Sequence, residues 1–165
     1  MRVQLVAGGA FISYYDINQG NRRAVPKKSS YAPLSRHDYE VLARFRFLLR
    51  TFLTFSQVAA RKTGLTPQQH QALLAIHGMP DAAGCSVGDL ARFLGVRPNS
   101  AVGLANRLVK AGLLRREADP QDGRRVTLTL TERAARLLAA LSAIHRDELR
   151  RLSADLKPLL DRVCR

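Results

Sequence analysis

Apolar side chains recur every three or four positions through much of the chain, and this spacing predicts a mainly helical protein. The first helical pattern begins at Ser35, which is suited to capping a helix and has Asp38 three positions later. Two neighbouring rows of apolar side chains run along this helix, which ends at Gly64. A helix that is apolar on two sides packs both on its own core and on a second subunit, so the pattern favours an oligomer. The rows consist of Leu42, Phe45, Leu49, Phe52 and Ala59, and of Val41, Leu48 and Phe55.

Three shorter helices follow, each with its own start and stop signals. The second is predicted from Thr66 to about His77, because Thr is a good N-cap and Pro67 suits the first helical position. The third is capped by Ser86 and closed by Gly95, and the fourth opens at Arg97 and stops at Gly112. The third and fourth helices therefore meet across a tight turn.

The apolar period changes from helical to two after the fourth helix. Residues 113–117 and 126–130 are predicted to form two strands, because apolar and polar side chains alternate there. Between them, the sequence Asp119-Pro120-Gln121-Asp122-Gly123 has the composition of a turn. The pattern predicts a β-hairpin.

A long final helical pattern begins after Thr131, which is suited to capping it. Pro158 interrupts this pattern, and a proline inside a helix removes one backbone hydrogen bond. We therefore expect a break near Ser153, followed by a short last helix that contains Leu159, Leu160 and Val163.

The first 34 residues differ in composition from the rest, since glycines and prolines punctuate them and a polar basic connector ends them. We interpret residues 1–34 as an N-terminal extension that is flexible or partly ordered. Residues 35–165 are then one domain, in keeping with a chain of 165 residues. Within it, residues 65–130 form one lobe, flanked by the helical segments 35–63 and 131–165.

Net charge gives the first indication of a partner. The chain has 27 basic and 13 acidic side chains, a formal charge of +14, and a pI of about 11.1, which favours a polyanion. Its apolar stretches are too short to span a bilayer, so no membrane partner is expected. Cys85 and Cys164 are too few for a disulfide framework or a cysteine zinc site, which fits a cytoplasmic protein.

The order of helix, tight turn, helix and two-stranded wing predicts a winged helix-turn-helix, in which the second helix of the pair enters the DNA major groove. Arginine pairs there with guanine, asparagine with adenine, and serine with a base or a phosphate. The alternative is that Pro98, Asn99 and Ser100 only cap the helix. The exposed positions expected on this helix are Arg97, Asn99, Ser100, Gly103, Asn106 and Arg107.

In the wing, Arg124 and Arg125 follow a turn that also contains Asp119 and Asp122. An acidic neighbour can orient an arginine side chain so that it enters a narrow, strongly negative minor groove. The alternative is a solvated hairpin tip, where a surface ion pair contributes only about 0 to 1 kcal/mol to stability.

Other candidate sites are weaker. His70 and His77 share a helix face, but seven residues correspond to about 10.5 Å of rise, which is too far for both to bind one metal ion. We expect these two histidines to be packing or surface residues, Cys85 to be a structural thiol, and no metal or cofactor to be bound.

His37, with Arg44 or Arg46, either lines a pocket for an anionic aromatic ligand or forms a solvated helix face.

No enzyme motif occurs in the chain. The sequence has no Walker A motif, no H-E-x-x-H or G-x-S-x-G pattern and no Rossmann glycine pattern, so an enzyme is not expected. The alternatives to a sequence-specific DNA-binding protein are a sequence-indifferent architectural DNA-binding protein and a winged-helix module for protein interaction.

Over about residues 36–163 the chain resembles the MarR family of bacterial transcription regulators. The resemblance depends on several short motifs in the same order and at the same spacings. They are Leu90-Ala91, Leu94-Gly95-Val96, Asn106-Arg107-Leu108, Gly112-Leu113-Leu114-Arg115-Arg116, Asp119-Pro120-Gln121-Asp122-Gly123-Arg124-Arg125 and Leu130-Thr131-Glu132.

The resemblance implies a mainly α fold with a small β-hairpin wing: a winged helix-turn-helix domain at residues 65–130 and a dimerisation region at residues 35–63 and 131–165. It implies a homodimer that binds a pseudo-palindromic operator in double-stranded DNA and is usually released by a small molecule. Arg97, Asn99, Ser100 and Arg107 would then lie at the major groove, and Asp122 and Arg124 in the wing. The implied dimer interface contains Leu42, Phe45, Leu49, Leu152, Leu156, Leu159 and Leu160.

Overall fold

The computed structural model describes residues 33–78, 84–118 and 126–163. Within these ranges the chain forms five helices and three short strands. In chain order they are α1 (Arg36–Lys62), α2 (Pro67–Gly78), β1 (Cys85–Ser86), α3 (Val87–Leu94), α4 (Pro98–Lys110), β2 (Leu114–Ala118), β3 (Val126–Leu130) and α5 (Glu132–Val163). None of the helices in the described ranges is both long and apolar enough to cross a membrane. The predicted winged helix-turn-helix is confirmed.

Side chains cap α1, α3 and α5 at the predicted positions. Before α1, the backbone N–H of Ser35 donates to Oδ2 of Asp38 at 2.8 Å, and the N–H of Asp38 donates to Oγ of Ser35 at 3.2 Å. Before α3, Ser86 and Asp89 form the same reciprocal pair. The hydroxyl of Thr131 accepts from the N–H of Ala134 at 3.2 Å in the first turn of α5. Each of these helix starts depends on hydrogen bonds between residues only three positions apart, so the sequence pattern was enough to predict it.

The turn between α3 and α4 depends on Gly95. Its φ of +63° lies in the left-handed region, where a side chain is strained, and its N–H bonds to the carbonyl oxygens of Ala91 and Arg92. The chain then needs only Val96 and Arg97 before α4 begins at Pro98. This short turn fixes the two helices of the helix-turn-helix against each other.

The sheet has three antiparallel strands in the order β1-β3-β2. The hairpin of β2 and β3 was predicted, although β2 begins and ends one residue later than expected. The two-residue strand β1 was not predicted, because two residues cannot show a period. It pairs Cys85 with Leu128 and brings the segment before α3 onto the wing.

The buried side chains form two separate clusters. The larger one lies between α2, α3, α4, the sheet and the adjoining parts of α1 and α5, and includes Leu73, Leu90, Leu104, Leu108, Leu128 and Leu141. The smaller one joins the ends of the chain, where Val41 and Leu48 of α1 pack on Leu152 and Leu159 of α5. The helices α1 and α5 therefore pack together beside the winged-helix lobe.

The predicted break near Ser153 is wrong, because α5 is continuous through Pro158 to Val163. Proline at this position removes one N–H donor, whose acceptor would be the carbonyl oxygen of Ala154. Both residues are exposed, so water can satisfy that oxygen. Burial of Leu152 and Leu159 against α1, on either side of the proline, holds the two halves of the helix in line.

Candidate nucleic-acid interface

Helix α4 is attached to the lobe through one face. Four of its side chains are almost fully buried: Ala101, Leu104, Ala105 and Leu108. The opposite face is open to solvent over most of its length and carries Asn99, Ser100, Asn106 and Arg107. Because the buried face is apolar and close-packed, the polar face is presented in a defined direction.

The start of α4 has no side-chain cap. Arg97 is the N-cap residue, with extended backbone angles of φ −64° and ψ 145°, and its side chain makes no capping hydrogen bond. Pro98 occupies the first helical position, and the N–H of Ser100 bonds to the carbonyl oxygen of Arg97 at 2.9 Å. The capping alternative for Asn99 and Ser100 is therefore not supported. Their side chains stand exposed at the end of the helix that reads base edges in helix-turn-helix proteins.

Gly103 lies in the middle of the polar face. A Cβ atom built there would lie 3.5 Å from Nη1 of Arg107 and would meet nothing closer. The guanidinium of Arg107 thus lies over Gly103, one turn earlier on the helix. Neither the fold nor the backbone conformation requires glycine at this position, since only the glycines outside the helices have a positive φ in the described residues.

Arg116 was not among the residues predicted to form the site. It lies on β2, and its Nη2 donates a hydrogen bond of 2.6 Å to Oδ1 of Asn106 on α4. The alternation of β2 was the available signal, because Arg116 shares a strand face with the buried Leu114. With Arg97, Arg107 and Lys110, it makes α4 and the adjoining face of β2 basic.

Asp122, Arg124 and Arg125 lie outside the described residues, and their place at a minor groove stays a prediction. The strands β2 and β3 are described on either side of these residues, and they pair as far as Ala118 and Val126. That register confirms the antiparallel pairing of the two predicted strands.

The side chains expected at a dimer interface fall into two groups. Leu152 and Leu159 are buried against α1 of the same chain, and Leu42, Phe45 and Leu156 are half-buried. Leu49 and Leu160 remain 43% and 44% exposed, so of these seven side chains they are the two most open to another chain. The role of all seven in a dimer stays a prediction.

Two histidines far apart in sequence meet where α1 and α5 adjoin the winged-helix lobe. The rings of His70 on α2 and His145 on α5 are stacked, with centroids 4.8 Å apart and planes at 9°. Phe52 and Phe55 of α1 each contact His145 edge-on, at 5.9 and 6.0 Å. The stack was missed because sequence spacing paired His70 with His77, which is exposed.

His37 and Arg44 come together at a second place, the junction between the start of α1 and the end of α5. They line a cavity of about 330 Å³ with Arg162 and Asp155. Nη1 of Arg162 donates to Nε2 of His37 at 2.6 Å, and Nη2 of Arg44 lies 3.3 Å from Oδ1 of Asp155. Arg46, the other arginine considered for such a pocket, does not line the cavity.

Cys85 is a buried free thiol, with an exposure of 2%. Desolvation raises its pKa to about 11, although a backbone hydrogen bond from Leu90 acts in the opposite direction. Such a thiol is poorly ionised and unreactive at neutral pH. Within residues 33–78, 84–118 and 126–163, no cluster of three or more histidine, cysteine or carboxylate side chains could hold a metal ion.

Comparison with known proteins points to one family. The sequence model described as the MarR family matches residues 63–125, which hold α2, α3, α4 and β2. A curated relative, the uncharacterized HTH-type transcriptional regulator YcgE of Bacillus subtilis (strain 168), is 36% identical over 84 residues. That alignment covers 51% of this chain and 53% of YcgE, so the chain spans about half the length of the curated relative that it matches. The resemblance to the MarR family is confirmed.

Solved structures of MarR-type regulators share this fold over about three quarters of the chain. S. aureus MepR in complex with DNA aligns with a TM-score of 0.57 at 20% identity, over 75% of this chain and 86% of that one. CouR from Rhodococcus jostii RHA1, bound to p-coumaroyl-CoA, aligns with a TM-score of 0.61 at 22% identity, over 78% of this chain and 93% of that one. At these identities the likeness concerns the fold alone.

Proposed function

We propose that this protein is a dimeric, sequence-specific DNA-binding transcription regulator of the bacterial cytoplasm. The observation that carries the proposal is the geometry of α4. Its apolar face is buried in the lobe, while Arg97, Asn99 and Ser100 stand exposed at its uncapped start. The net charge of +14 and the match to the MarR family support DNA as the partner.

Base and phosphate contacts divide between residues in this proposal. Asn99 and Ser100 read base edges in the major groove, because they lie in the first turn of the recognition helix. Arg97 and Arg107 bind guanine or phosphate, since a guanidinium serves both. Gly103 lets the helix backbone approach the groove closely. Arg124, oriented by Asp122 and accompanied by Arg125, enters the adjacent minor groove.

The same proposal includes a homodimer. Two recognition helices related by a two-fold axis must read half-sites roughly 34 to 36 Å apart, about one turn of B-DNA. Leu49 on α1 and Leu160 on α5, which are both exposed, provide apolar area for the second copy. The operator is accordingly a pseudo-palindrome.

A small aromatic or anionic molecule would release the dimer from the DNA, and repression is the expected mode. Such a ligand changes DNA affinity only if the dimer has two conformations that differ in the distance between the recognition helices, and the ligand binds one of them more tightly. The related fold of CouR holds p-coumaroyl-CoA, an aromatic and anionic compound, which supports this class of effector.

The test is a competition shift assay with the full chain, using DNA from upstream of its own gene against random DNA of equal length. Asn99→Ala should change the selected bases, and Arg124→Ala should weaken binding by at least about tenfold, as expected for a lost groove contact. Arg146→Ala is the control, because it removes the same charge from an exposed position on α5. Equal competition by random DNA would instead indicate an architectural DNA-binding protein. If the protein bound neither DNA, the remaining alternative would be a module for protein interaction.

A further inference from the structure

The hydrogen bond between Arg116 and Asn106 links the wing to the recognition helix. The two residues are ten positions apart and belong to different elements, so tertiary packing brings Nη2 of Arg116 to 2.6 Å from Oδ1 of Asn106. Both side chains are exposed at the surface of the lobe. The contact joins a charged donor to a neutral amide, so it leaves the positive charge of the guanidinium unneutralised.

The base of the Arg116 side chain is held by the sheet. Side chains two positions apart on a strand share a face, so Arg116 leaves β2 on the same side as the buried Leu114. Its partner in the antiparallel register is Leu128, which is also buried and lies on that side. The aliphatic part of the Arg116 side chain therefore starts on the face of the sheet that packs against the helices. Because the strand holds this start in place, the guanidinium reaches α4 from a defined position.

The chemistry of the pair determines how the amide of Asn106 is turned. A guanidinium only donates hydrogen bonds, so the amide must present its oxygen to Arg116. The two Nδ2–H donors then remain for another partner. Asn106 lies seven positions after Asn99 and three after Gly103, which places all three on one face of α4.

We propose that Arg116 is a positioning residue that sets the base preference of Asn106. The inference rests on the sequence-specific DNA binding proposed above. With its oxygen held by Arg116, Asn106 directs its Nδ2–H donors at an acceptor in the major groove: N7 of a purine, O6 of guanine or O4 of thymine. Without Arg116 the amide can turn over and offer its oxygen, which would also accept from the amino groups of adenine and cytosine.

The experiment is selection of binding sites from a randomised DNA pool by the full chain and its variants. Arg116→Met keeps an unbranched stem but removes the donors. The matched control is Arg115→Met, which removes the same charge from the adjacent position, where the side chain leaves the opposite face of the strand. Arg116→Met should reduce the preference at one base pair of each half-site by about threefold to tenfold, the size of one hydrogen bond, and leave other positions unchanged. Arg115→Met should select the parent motif.

Asn106→Asp provides a second measurement that does not depend on the folding of Arg116→Met. It keeps the acceptor for Arg116 but lacks the donors, so the preference at the same base pair should be lost. An unchanged motif with uniformly weaker binding by Arg116→Met and Asn106→Asp would indicate a phosphate contact and overturn the inference. If the parent protein selects no motif at all, the proposed function itself fails. That result differs from an unchanged motif in the variants, which overturns only the role of Arg116.

Discussion

The imidazole rings of His70 and His145 are stacked 4.8 Å apart where α1, α2 and α5 meet. Both side chains are buried, with exposures of 5% and 8%, and Nε2 of His145 has no hydrogen-bond partner in the described part of the chain. An unpaired buried polar atom costs free energy, so the stacked arrangement is held by the packing around it. The stack joins the winged-helix lobe to the helices of the proposed dimer interface.

This environment predicts that acid destabilises the protein. Burial lowers the pKa of His70, and the electrostatic interaction with the neighbouring His145 lowers it further. Below the ordinary histidine pKa of about 6.5, the unfolded chain binds a proton that the folded protein excludes. The free energy of unfolding should therefore be unaffected by this group above that pH and fall as the pH drops below it, by at most about 1.4 kcal/mol per pH unit for one proton.

Urea denaturation between pH 7.5 and 5.5 measures this slope. His70→Gln should flatten it, whereas His77→Gln, the same change at an exposed position of the same helix, should not. The comparison uses slopes, because a buried glutamine also changes stability at every pH. Equal slopes for the parent and the His70 variant would contradict the assignment.

The raised pKa of Cys85 predicts a thiol that resists modification in the folded protein. With a pKa of about 11, only about one thiol in a thousand is ionised at pH 8, and the side chain is 2% exposed. In a Cys164→Ser background, iodoacetamide should label Cys85 at the rate of unfolding and rapidly in 6 M guanidinium. Fast labelling of the native protein would show that Cys85 is accessible, which would favour a redox role.

Gly103→Ala should separate stability from DNA binding. Alanine is favoured over glycine inside a helix by roughly 0.5 to 1 kcal/mol, and the added Cβ meets only the mobile end of Arg107, at 3.5 Å. The variant should therefore melt at a higher temperature than the parent but bind the operator less tightly, because the methyl group separates α4 from the groove. Gly88→Ala on α3 is the control that adds a methyl group away from the recognition helix. Unchanged operator affinity of Gly103→Ala would remove Gly103 from the interface.

Two leucines of α5, one buried and one exposed, should report different properties. Leu152→Ala empties a position in the cluster with Val41 and Leu48, and should lower the free energy of unfolding by about 2 to 5 kcal/mol. Leu160→Glu changes a side chain that is 44% exposed, so it should affect the fold little and instead favour monomers in sedimentation equilibrium. A Leu160→Glu protein that sediments like the parent would place the dimer contact elsewhere.

Sequence alone determined the elements whose signals are local. The capping pairs at Ser35 and Ser86, the turn at Gly95 and the alternation of β3 involve groups within a few positions of each other, so they could be identified in order along the chain. The same signals predicted the winged helix-turn-helix and the exposed start of α4. The break expected at Pro158 was wrong because a local cost was weighed without the packing of α5 on α1, which outweighs it.

Tertiary structure decided the contacts between residues that are distant in sequence. The stack of His70 on His145, the bond from Arg116 to Asn106 and the meeting of His37 with Arg162 each join different elements, and no period or spacing encodes them. The short strand β1 belongs to the same class, since its two residues become a strand only by pairing with β3. Local hydrogen bonding specifies where elements start and stop, whereas the burial of apolar faces decides which side chains meet, and that depends on the whole fold.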